Sequence, residues 1–257
     1  MNYGLYQSAG GVLATMHRYE VLSNNLANVE TTAFKADLAL SMERLPARIE
    51  QGAGIDPNLL LERLGGGQLT TPTAIAFAQG GLVETGAQHD FALDGEAFFV
   101  VGPERVRGEQ DLSLTRDGRF TVNADGQLVM ATTGYNVLDD RNRPITLEPG
   151  AFAIDEDGIV RQNEVEVAQL GLRQVEHPDR LTKAGDGLLQ TTQESGRGTE
   201  ANETRVIQGA LEESTVNPVL AMKDLLATSR ALEANVRMMQ YQDTILGQAA
   251  GTLGKVS

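Results

Sequence analysis

Cysteine and tryptophan are absent from this sequence of 257 residues, and aromatic residues make up only 5% of it. Without cysteine the chain can form no disulfide, no thiolate metal site and no cysteine nucleophile. No apolar run approaches the roughly 18 residues of a membrane-spanning helix, so we expect no membrane insertion. With 41% apolar residues and 28 glycines, the chain can still bury a sizeable core. We therefore expect a folded protein with many turns.

Positive charge is scarce, since 35 acidic residues outnumber 21 basic ones and give a formal net charge of −14. Such a chain repels phosphate-rich polymers, so we expect no nucleic-acid partner. The charge is also uneven, because residues 1–35 are neutral and residues 206–257 carry −1, which leaves −13 for the middle. The two ends are thus predicted to differ from the middle.

Both ends carry apolar residues at every seventh position, the spacing of one side of a helix. We call these residues the terminal seams: Leu5, Val12 and Tyr19 at the N-terminus, and Leu225, Leu232, Met239, Leu246 and Leu253 at the C-terminus. Asn217 and Pro218 form an N-cap and first-turn pair, so the second helix is predicted to start there and to run about 35 residues. We expect the two helices to pair as a coiled coil. The alternative is that each lies on the β-rich body as an ordinary amphipathic helix.

The middle of the chain alternates short β-prone runs with five Asp-Gly pairs. Asp-Gly favours tight turns because both residues tolerate positive φ. We therefore predict an α+β protein in four parts, with a central antiparallel β domain. The parts are an N-terminal helix over 1–35, an extended connector over 36–80, the β domain over 81–205 and a C-terminal helix over 206–257. The connector contains one short helical candidate near Asn58 to Leu64.

Enzyme motifs are absent from the sequence. Its three histidines are scattered, and it has no nucleophile elbow, no His-Glu-x-x-His and no phosphate- or dinucleotide-binding glycine pattern. His89 and Asp90 could pair as an imidazole and its carboxylate, but neighbours along a strand point to opposite faces. We therefore predict no enzymatic activity and no cofactor.

One stretch of the sequence partly matches a calcium-binding loop. Four residues match positions 3, 5, 6 and 12 of an EF-hand loop, namely Asp155, Asp157, Gly158 and Glu164. Position 1 is Ala153, however, and no flanking helices are evident. A β-turn with solvated carboxylates explains the pattern better, so we predict no metal site. Two adjacent acidic pairs are likewise predicted to be exposed charge: Asp139 with Asp140, and Glu212 with Glu213.

The stretch from residue 23 to residue 35 places three asparagines and two threonines at a helix end, where they can bond the last carbonyls and the following turn. This string resembles the N-terminal signature of the bacterial flagellar rod and hook proteins. We take its assembly motif to be Ser23, Asn24, Asn25, Leu26, Ala27, Asn28, Thr31 and Phe34. Relatives commonly have glycine where this chain has Ala33. If that position requires positive φ, alanine is strained there.

Further stretches resemble the same family in the expected order. Residues 93–101 and 114–120 resemble its β-domain motifs, and residues 208–218 and 229–235 resemble its C-terminal signature. The last residues of the chain, 243–247 and 253–255, favour a proximal-rod member of the family over a distal-rod member. The length of 257 residues suits either and is short for a hook protein.

The resemblance implies a structural subunit of the flagellar basal-body rod. It implies helical assembly through the terminal helices, with copies of the chain and with other rod subunits, into a shaft that transmits torque. It also implies export through the flagellar type III apparatus without a cleaved leader, and a place in the periplasmic span of the rod. The alternative is a secreted β-rich binding module without enzymatic activity, for example one that binds glycan. That alternative does not explain the terminal seams.

Overall fold

The computed structural model describes residues 3–44, 67–103, 105, 108, 111–192, 195–196, 198–200 and 204–253. These residues form two helices, α1 (Tyr3–Ala27) and α2 (Pro218–Leu253), and a short 3-10 turn at Pro178–Arg180. They also form twenty short strands: β1 (Asp37–Leu38), β2 (Ser41–Glu43), β3 (Gln68–Thr70), β4 (Ala74–Ile75), β5 (Leu82–Glu84), β6 (Phe91–Asp94), β7 (Phe98–Gly102), β8 (Ser113–Thr115), β9 (Phe120–Val122), β10 (Leu128–Met130), β11 (Asn136–Val137), β12 (Ala153–Ile154), β13 (Ile159–Gln162), β14 (Val165–Gln169), β15 (Leu172–Gln174), β16 (Thr182–Gly185), β17 (Leu188–Gln190), β18 (Thr199–Glu200), β19 (Arg205–Gln208) and β20 (Ala210–Glu212). Neither described helix combines the length and apolarity that crossing a membrane requires.

The chain divides into two compact units, each assembled from segments that are distant in sequence. The helical unit consists of Met1–Ala27, Asp37–Ala74 and Pro218–Ser257, and the β-rich unit consists of Asn28–Ala36 and Ile75–Asn217. Compact units need not coincide with domains, so our division of the sequence at residues 35, 80 and 205 stays a prediction. The helical candidate near Asn58 to Leu64 lies outside the described residues.

The α+β class fits the structure, but the predicted coiled coil between the terminal helices is wrong. None of the six described seam side chains is buried, since Val12, Tyr19, Leu225, Leu232, Met239 and Leu246 are all half-buried. The side chains of Leu5 and Leu253 lie outside the described residues. Both hydrophobic clusters that the described residues form belong to the β-rich unit instead.

The helices meet through polar contacts, which explains why the heptad prediction fails. Ser8 Oγ donates to Gln242 Oε1 over 3.2 Å, and Asn235 Nδ2 donates to Thr15 Oγ1 over 3.1 Å, so α1 and α2 run antiparallel. A coiled coil needs two apolar rows on each helix. The second row of α2 is mostly polar: Ala221, Thr228, Asn235 and Gln242.

A glycine of α1 accommodates a strand of the helical unit. The strand β3 pairs antiparallel with β2 and passes over α1 at Gly10. A Cβ at Gly10 would lie 3.4 Å from the carbonyl oxygen of Gln68, at the short end of ordinary van der Waals contact. The glycine therefore lowers the intrinsic stability of the helix but allows a strand to pack closely on it.

The centre of the β-rich unit is a nine-stranded antiparallel sheet with the order β16-β17-β8-β7-β11-β10-β9, in which β15 pairs with both β7 and β18. All five residues of β7 are buried. Successive residues of a strand point to opposite faces. Phe99 and Val101 therefore join one hydrophobic cluster, and Phe98 and Val100 join the other. The core of the unit surrounds this strand on both sides.

The Asp-Gly pairs are structurally required for two different reasons. At Asp125-Gly126 the glycine has a φ of 78°, which confirms the predicted turn geometry. At Asp117-Gly118 the glycine is required by packing, because a Cβ there would lie 1.6 Å from the carbonyl oxygen of Phe91. The sequence signal is thus the same although the physical cause differs.

The C-terminal helix begins at Pro218, as the Asn217-Pro218 pair predicts. The residues just before it complete the β-rich unit. Strand β19 pairs with β6, strand β20 pairs with β5, and Val206 is buried in the larger hydrophobic cluster. The β-rich unit therefore depends on residues well beyond position 205.

Candidate functional site

Asn25 holds the end of α1 to the start of β1. Its Nδ2 donates to the carbonyl oxygen of Asp37 over 2.8 Å, and its Oδ1 accepts from the backbone N–H of Asp37 over 2.9 Å. The side chain is 6% exposed. A carboxamide is suited to this task because it has a donor and an acceptor on neighbouring atoms. Asn25 of the assembly motif therefore has a defined role inside the helical unit.

The rest of the assembly motif lies around the end of α1, which stops at Ala27. Thr31 Oγ1 donates to Asn28 Oδ1 over 3.1 Å and closes a local turn. Phe34 is half-buried, and the ammonium group of Lys183 lies 4.1 Å from the centre of its ring. The remaining members are exposed or half-buried: Ser23, Asn24, Leu26 and Ala27. The role of this motif in assembly stays a proposal.

Three buried charged side chains meet in the β-rich unit directly after the motif, and we call Lys35, Arg116 and Glu212 the charged junction. Lys35 Nζ donates to Glu212 Oε1 and to the carbonyl oxygen of Ala78, and Arg116 Nη1 lies 3.4 Å from Glu212 Oε2. The three residues are 4%, 7% and 1% exposed. An unpaired buried charge costs several kcal/mol. The shared carboxylate therefore makes the burial of both cations tolerable.

Desolvation dominates the electrostatics of the charged junction. Burial lowers the pKa of the Lys35 amine, because the loss of hydration outweighs the ion pair with Glu212. Burial lowers the pKa of Arg116 for the same reason. Arg116 Nη2 donates to the carbonyl oxygen of Gly95 over 2.6 Å, whereas its Nε finds no hydrogen-bond partner among the described residues. The junction contains two cations and one carboxylate.

Residues 33–36 form a short segment that we call the strap. The backbone N–H of Ala33 donates to the carbonyl oxygen of Glu212 over 2.8 Å, and the N–H of Thr215 donates to the carbonyl oxygen of Phe34 over 3.0 Å. These bonds tie the strap to β20 and to the residues that follow it. The segment after α1 and the segment before α2 are therefore joined within the β-rich unit.

Ala33 is the strained residue of the strap. Its φ is 56°, in the left-handed region, and its side chain is 9% exposed. The position thus requires the positive φ for which glycine is the ordinary choice. An L-residue with a Cβ pays about 1–2 kcal/mol there.

Replacing Ala33 by glycine is expected to raise the free energy of unfolding by about 0.5–1 kcal/mol. The relief of left-handed strain outweighs the entropy that glycine adds to the unfolded chain. Urea denaturation of the purified chain measures the change. Ala151→Gly is the matched control, because Ala151 is exposed and has no positive φ. A gain no larger than that of the control would contradict the strain at Ala33.

Two acidic residues predicted to be exposed are buried instead. Glu212 is 1% exposed, whereas its neighbour Glu213 is exposed. Asp139 is 5% exposed and accepts hydrogen bonds from the backbone and guanidinium of Arg143 and from the backbone N–H of Arg141. Desolvation opposes its charge, but these hydrogen bonds outweigh it and hold the pKa of Asp139 below its ordinary value. Both carboxylates therefore organise the local structure.

His89 and Asp90 serve separate contacts. The His89 ring packs against the ring of Phe152 with a centroid distance of 5.5 Å. The carboxylate of Asp90 accepts a hydrogen bond from Thr85 Oγ1 over 2.6 Å. The two side chains thus contact different partners and do not form the imidazole–carboxylate pair considered above.

The stretch that matches an EF-hand loop spans the hairpin of β12 and β13 and ends at Glu164, in the turn before β14. Asp155 Oδ1 accepts from the backbone N–H of Ile159 over 2.9 Å, and its Oδ2 lies 3.5 Å from Arg161 Nη2. Within the described ranges, no group of three or more histidine or acidic side chains could hold a metal ion. The aspartate at this turn therefore caps a hairpin.

These observations define an α+β chain with two long helices and a β-rich unit, in which buried charges join distant chain segments. Two family models match the chain. The model described as "Flagellar hook protein FlgE/F/G D1 domain" matches residues 92–162. The model described as "Flagellar basal body rod FlgEFG protein C-terminal" matches residues 207–252.

The full length of the chain also aligns with named relatives. The flagellar basal-body rod protein FlgF of Caulobacter vibrioides is 32% identical over 100% of both chains. FlgF of Rhizobium meliloti is 31% identical over 99% of both chains, and FlgF of Mesorhizobium japonicum is 30% identical over 100% of both. The chain belongs to the family of flagellar basal-body rod proteins.

Membership of this family confirms two predictions. The resemblance to the flagellar rod and hook proteins holds over the whole chain, and the predicted role as a structural subunit of the rod is confirmed. The names of the relatives agree with the predicted similarity to the proximal-rod member, which is lettered F. They give no support to a secreted binding module.

Proposed function

We propose that the chain assembles into the rod through its helical unit. The observation that carries this proposal is the number of large apolar side chains that the helices expose to solvent: Leu13, Met16, Val219, Leu220, Met222, Leu226, Val236, Met238, Tyr241 and Ile245. Residues three and four apart lie on one face of a helix, so Met238, Tyr241 and Ile245 form a single patch. Contiguous exposed apolar patches mark interaction surfaces.

The charge of α2 supports copies of this chain and related rod subunits as the partners. The helix carries three basic and three acidic side chains and is therefore neutral, although the whole chain carries −14. Two neutral helices approach each other without net repulsion, whereas two acidic surfaces repel. Contacts between different patches on neighbouring copies generate a helical shaft when they do not close into a ring.

In this proposal the terminal seams and the assembly motif position the helices. The half-buried seam residues hold each helix in place, so that the exposed patch is presented in one orientation. Asn25 fixes the end of α1 through both of its amide atoms. A rigid, pre-organised surface loses less entropy when it binds.

The remaining parts of the proposal follow from the role of a rod subunit. We assign the subunit no enzymatic activity, export through the flagellar type III apparatus, and a location in the periplasmic span of the rod. The mass of the subunit in purified basal bodies measures whether any segment is removed during export.

Chemical labelling tests the proposed assembly surface, because the chain has no native cysteine to interfere. Cysteine at Ile245 is expected to react with a maleimide in the monomer and to be protected in purified basal bodies. Cysteine at Val165 is the matched control, since the two side chains are 63% and 64% exposed. It should react in both samples. Equal reactivity of the Ile245 cysteine in monomer and basal body would contradict the proposal.

A further inference from the structure

The strap is attached to the β-rich unit almost entirely by polar groups. The backbone N–H of Ala36 donates to Thr215 Oγ1 over 3.1 Å. Lys183 Nζ donates to the carbonyl oxygen of Lys35 over 2.7 Å and also lies over the ring of Phe34. These contacts add to the bond between Ala33 and Glu212. Such attachments can be lost one by one without opening a hydrophobic core.

The strap contributes nothing to either hydrophobic cluster formed by the described residues. Those clusters are built from residues between Ile75 and Val206. Phe34, the large apolar residue of the strap, is only half-buried. Releasing residues 33–36 therefore exposes little apolar surface, and the sheet around β7 keeps its packing.

Closing the strap has two identifiable costs. Ala33 must adopt a left-handed backbone, and the ammonium group of Lys35 must leave water. The Glu212 carboxylate offsets the burial of Lys35 by pairing with it, and the backbone carbonyl of Glu212, which stays in place whatever its side chain, accepts from Ala33. The cost of burying Lys35 is therefore offset by the Glu212 side chain.

We propose that the strap is a releasable element of the β-rich unit, held closed by the charge of Glu212. When the charge is removed, as in Glu212→Gln, Lys35 gains more by returning to water than by staying buried, and residues 33–36 open. Arg116 keeps its hydrogen bond to Gly95 and its position 5.0 Å from the ring centre of Phe98, so the sheet stays folded. The strap and the sheet are then two separate cooperative units.

Hydrogen exchange of the full chain tests this directly with Glu212→Gln, which keeps the shape and one acceptor oxygen but removes the charge. The amides of Ala33 and Ala36 should exchange at least about tenfold faster, the factor expected for losing one charged hydrogen bond. The amide of Val100, which donates to Gly171 over 2.9 Å, should be unchanged. Glu213→Gln, the exposed neighbour, is the matched control and should change neither. Equal acceleration of the strap and of Val100, or no acceleration at all, would overturn the proposal.

Two further variants keep the test decisive if Glu212→Gln fails to fold. Lys183→Met removes a contact to the strap from outside the charged junction, and it should speed exchange at Ala36 about fivefold without affecting Val100. Adding Lys35→Met to Glu212→Gln removes the cation that must otherwise be buried, and it should restore slow exchange at Ala33. If Lys183→Met leaves exchange at Ala36 unchanged, residues 33–36 are not a releasable unit. If the double variant is as open as the single one, the charge of Glu212 does not hold the strap. Either result would overturn the proposal.

Discussion

An aspartate in place of Leu232 is expected to keep the subunit out of the rod and to abolish swimming. Leu232 is half-buried on α2. If assembly packs another helix against the seam, an aspartate there becomes a buried unpaired carboxylate, which costs several kcal/mol. The rod repeats this cost in every subunit. The hydrophobic clusters lie in the β-rich unit, so that unit should keep its circular dichroism and its melting temperature. Swimming in soft agar and thermal melting of the purified chain measure the two effects.

Two matched variants separate the seam from a general effect of charge. Leu232→Met keeps the side chain apolar and of similar volume, so rods should form. Val165→Asp places the same charge on an exposed strand, where it should leave swimming intact. Normal swimming by the Leu232→Asp strain would show that the seam is not needed for assembly.

Truncating Phe99 to alanine is expected to lower the free energy of unfolding of the β-rich unit by about 3–5 kcal/mol. Phe99 of β7 is 0% exposed, and its ring meets that of Phe120 edge-on at a centroid distance of 5.1 Å. A cavity there disturbs the larger hydrophobic cluster from its middle. Total stabilities of about 5–15 kcal/mol are typical, so the loss is a large fraction. Urea denaturation followed by far-ultraviolet circular dichroism measures it.

The control for this core substitution is Val165→Ala on β14. Val165 is 64% exposed, and surface substitutions usually change stability by less than about 0.5 kcal/mol. If Phe99→Ala costs no more than this control, β7 is not the centre of the core.

Local signals in the sequence predicted local structure well. The Asn217-Pro218 pair marks the first turn of α2, and Asp125-Gly126 marks a turn with positive φ. Both signals depend on the backbone preferences of two adjacent residues, and these can be read from one sequence. The stretches that resemble the rod and hook proteins predicted the family correctly, and with it the role of the subunit.

Relations between distant residues could not be predicted in this way. Lys35, Arg116 and Glu212 lie far apart in the sequence, and a charged residue considered alone is expected at the surface. The fold alone brings them within bonding distance. The sequence contained one indication that these residues matter, because each of the three lies inside a stretch that resembles the family.

The coiled-coil prediction failed because it rested on the apolar seam of each helix and did not consider the row of residues beside the seam of α2. The apolar seam of α2 is real in the sequence, but the adjacent row that includes Asn235 and Gln242 is polar and hydrogen-bonds α1. Heptad spacing identifies the side of a helix that is apolar. It does not identify how the partner helix fills that side.

Electron microscopy of basal bodies from a strain that lacks this chain tests the central claim most directly. If the chain is a structural subunit of the rod, purified basal bodies should end in truncated rods, and the wild-type chain supplied in trans should restore complete rods and swimming. The same preparation should contain the chain in the restored strain and lose it with Leu232→Asp. Complete rods of normal length in the strain without the chain would contradict the account.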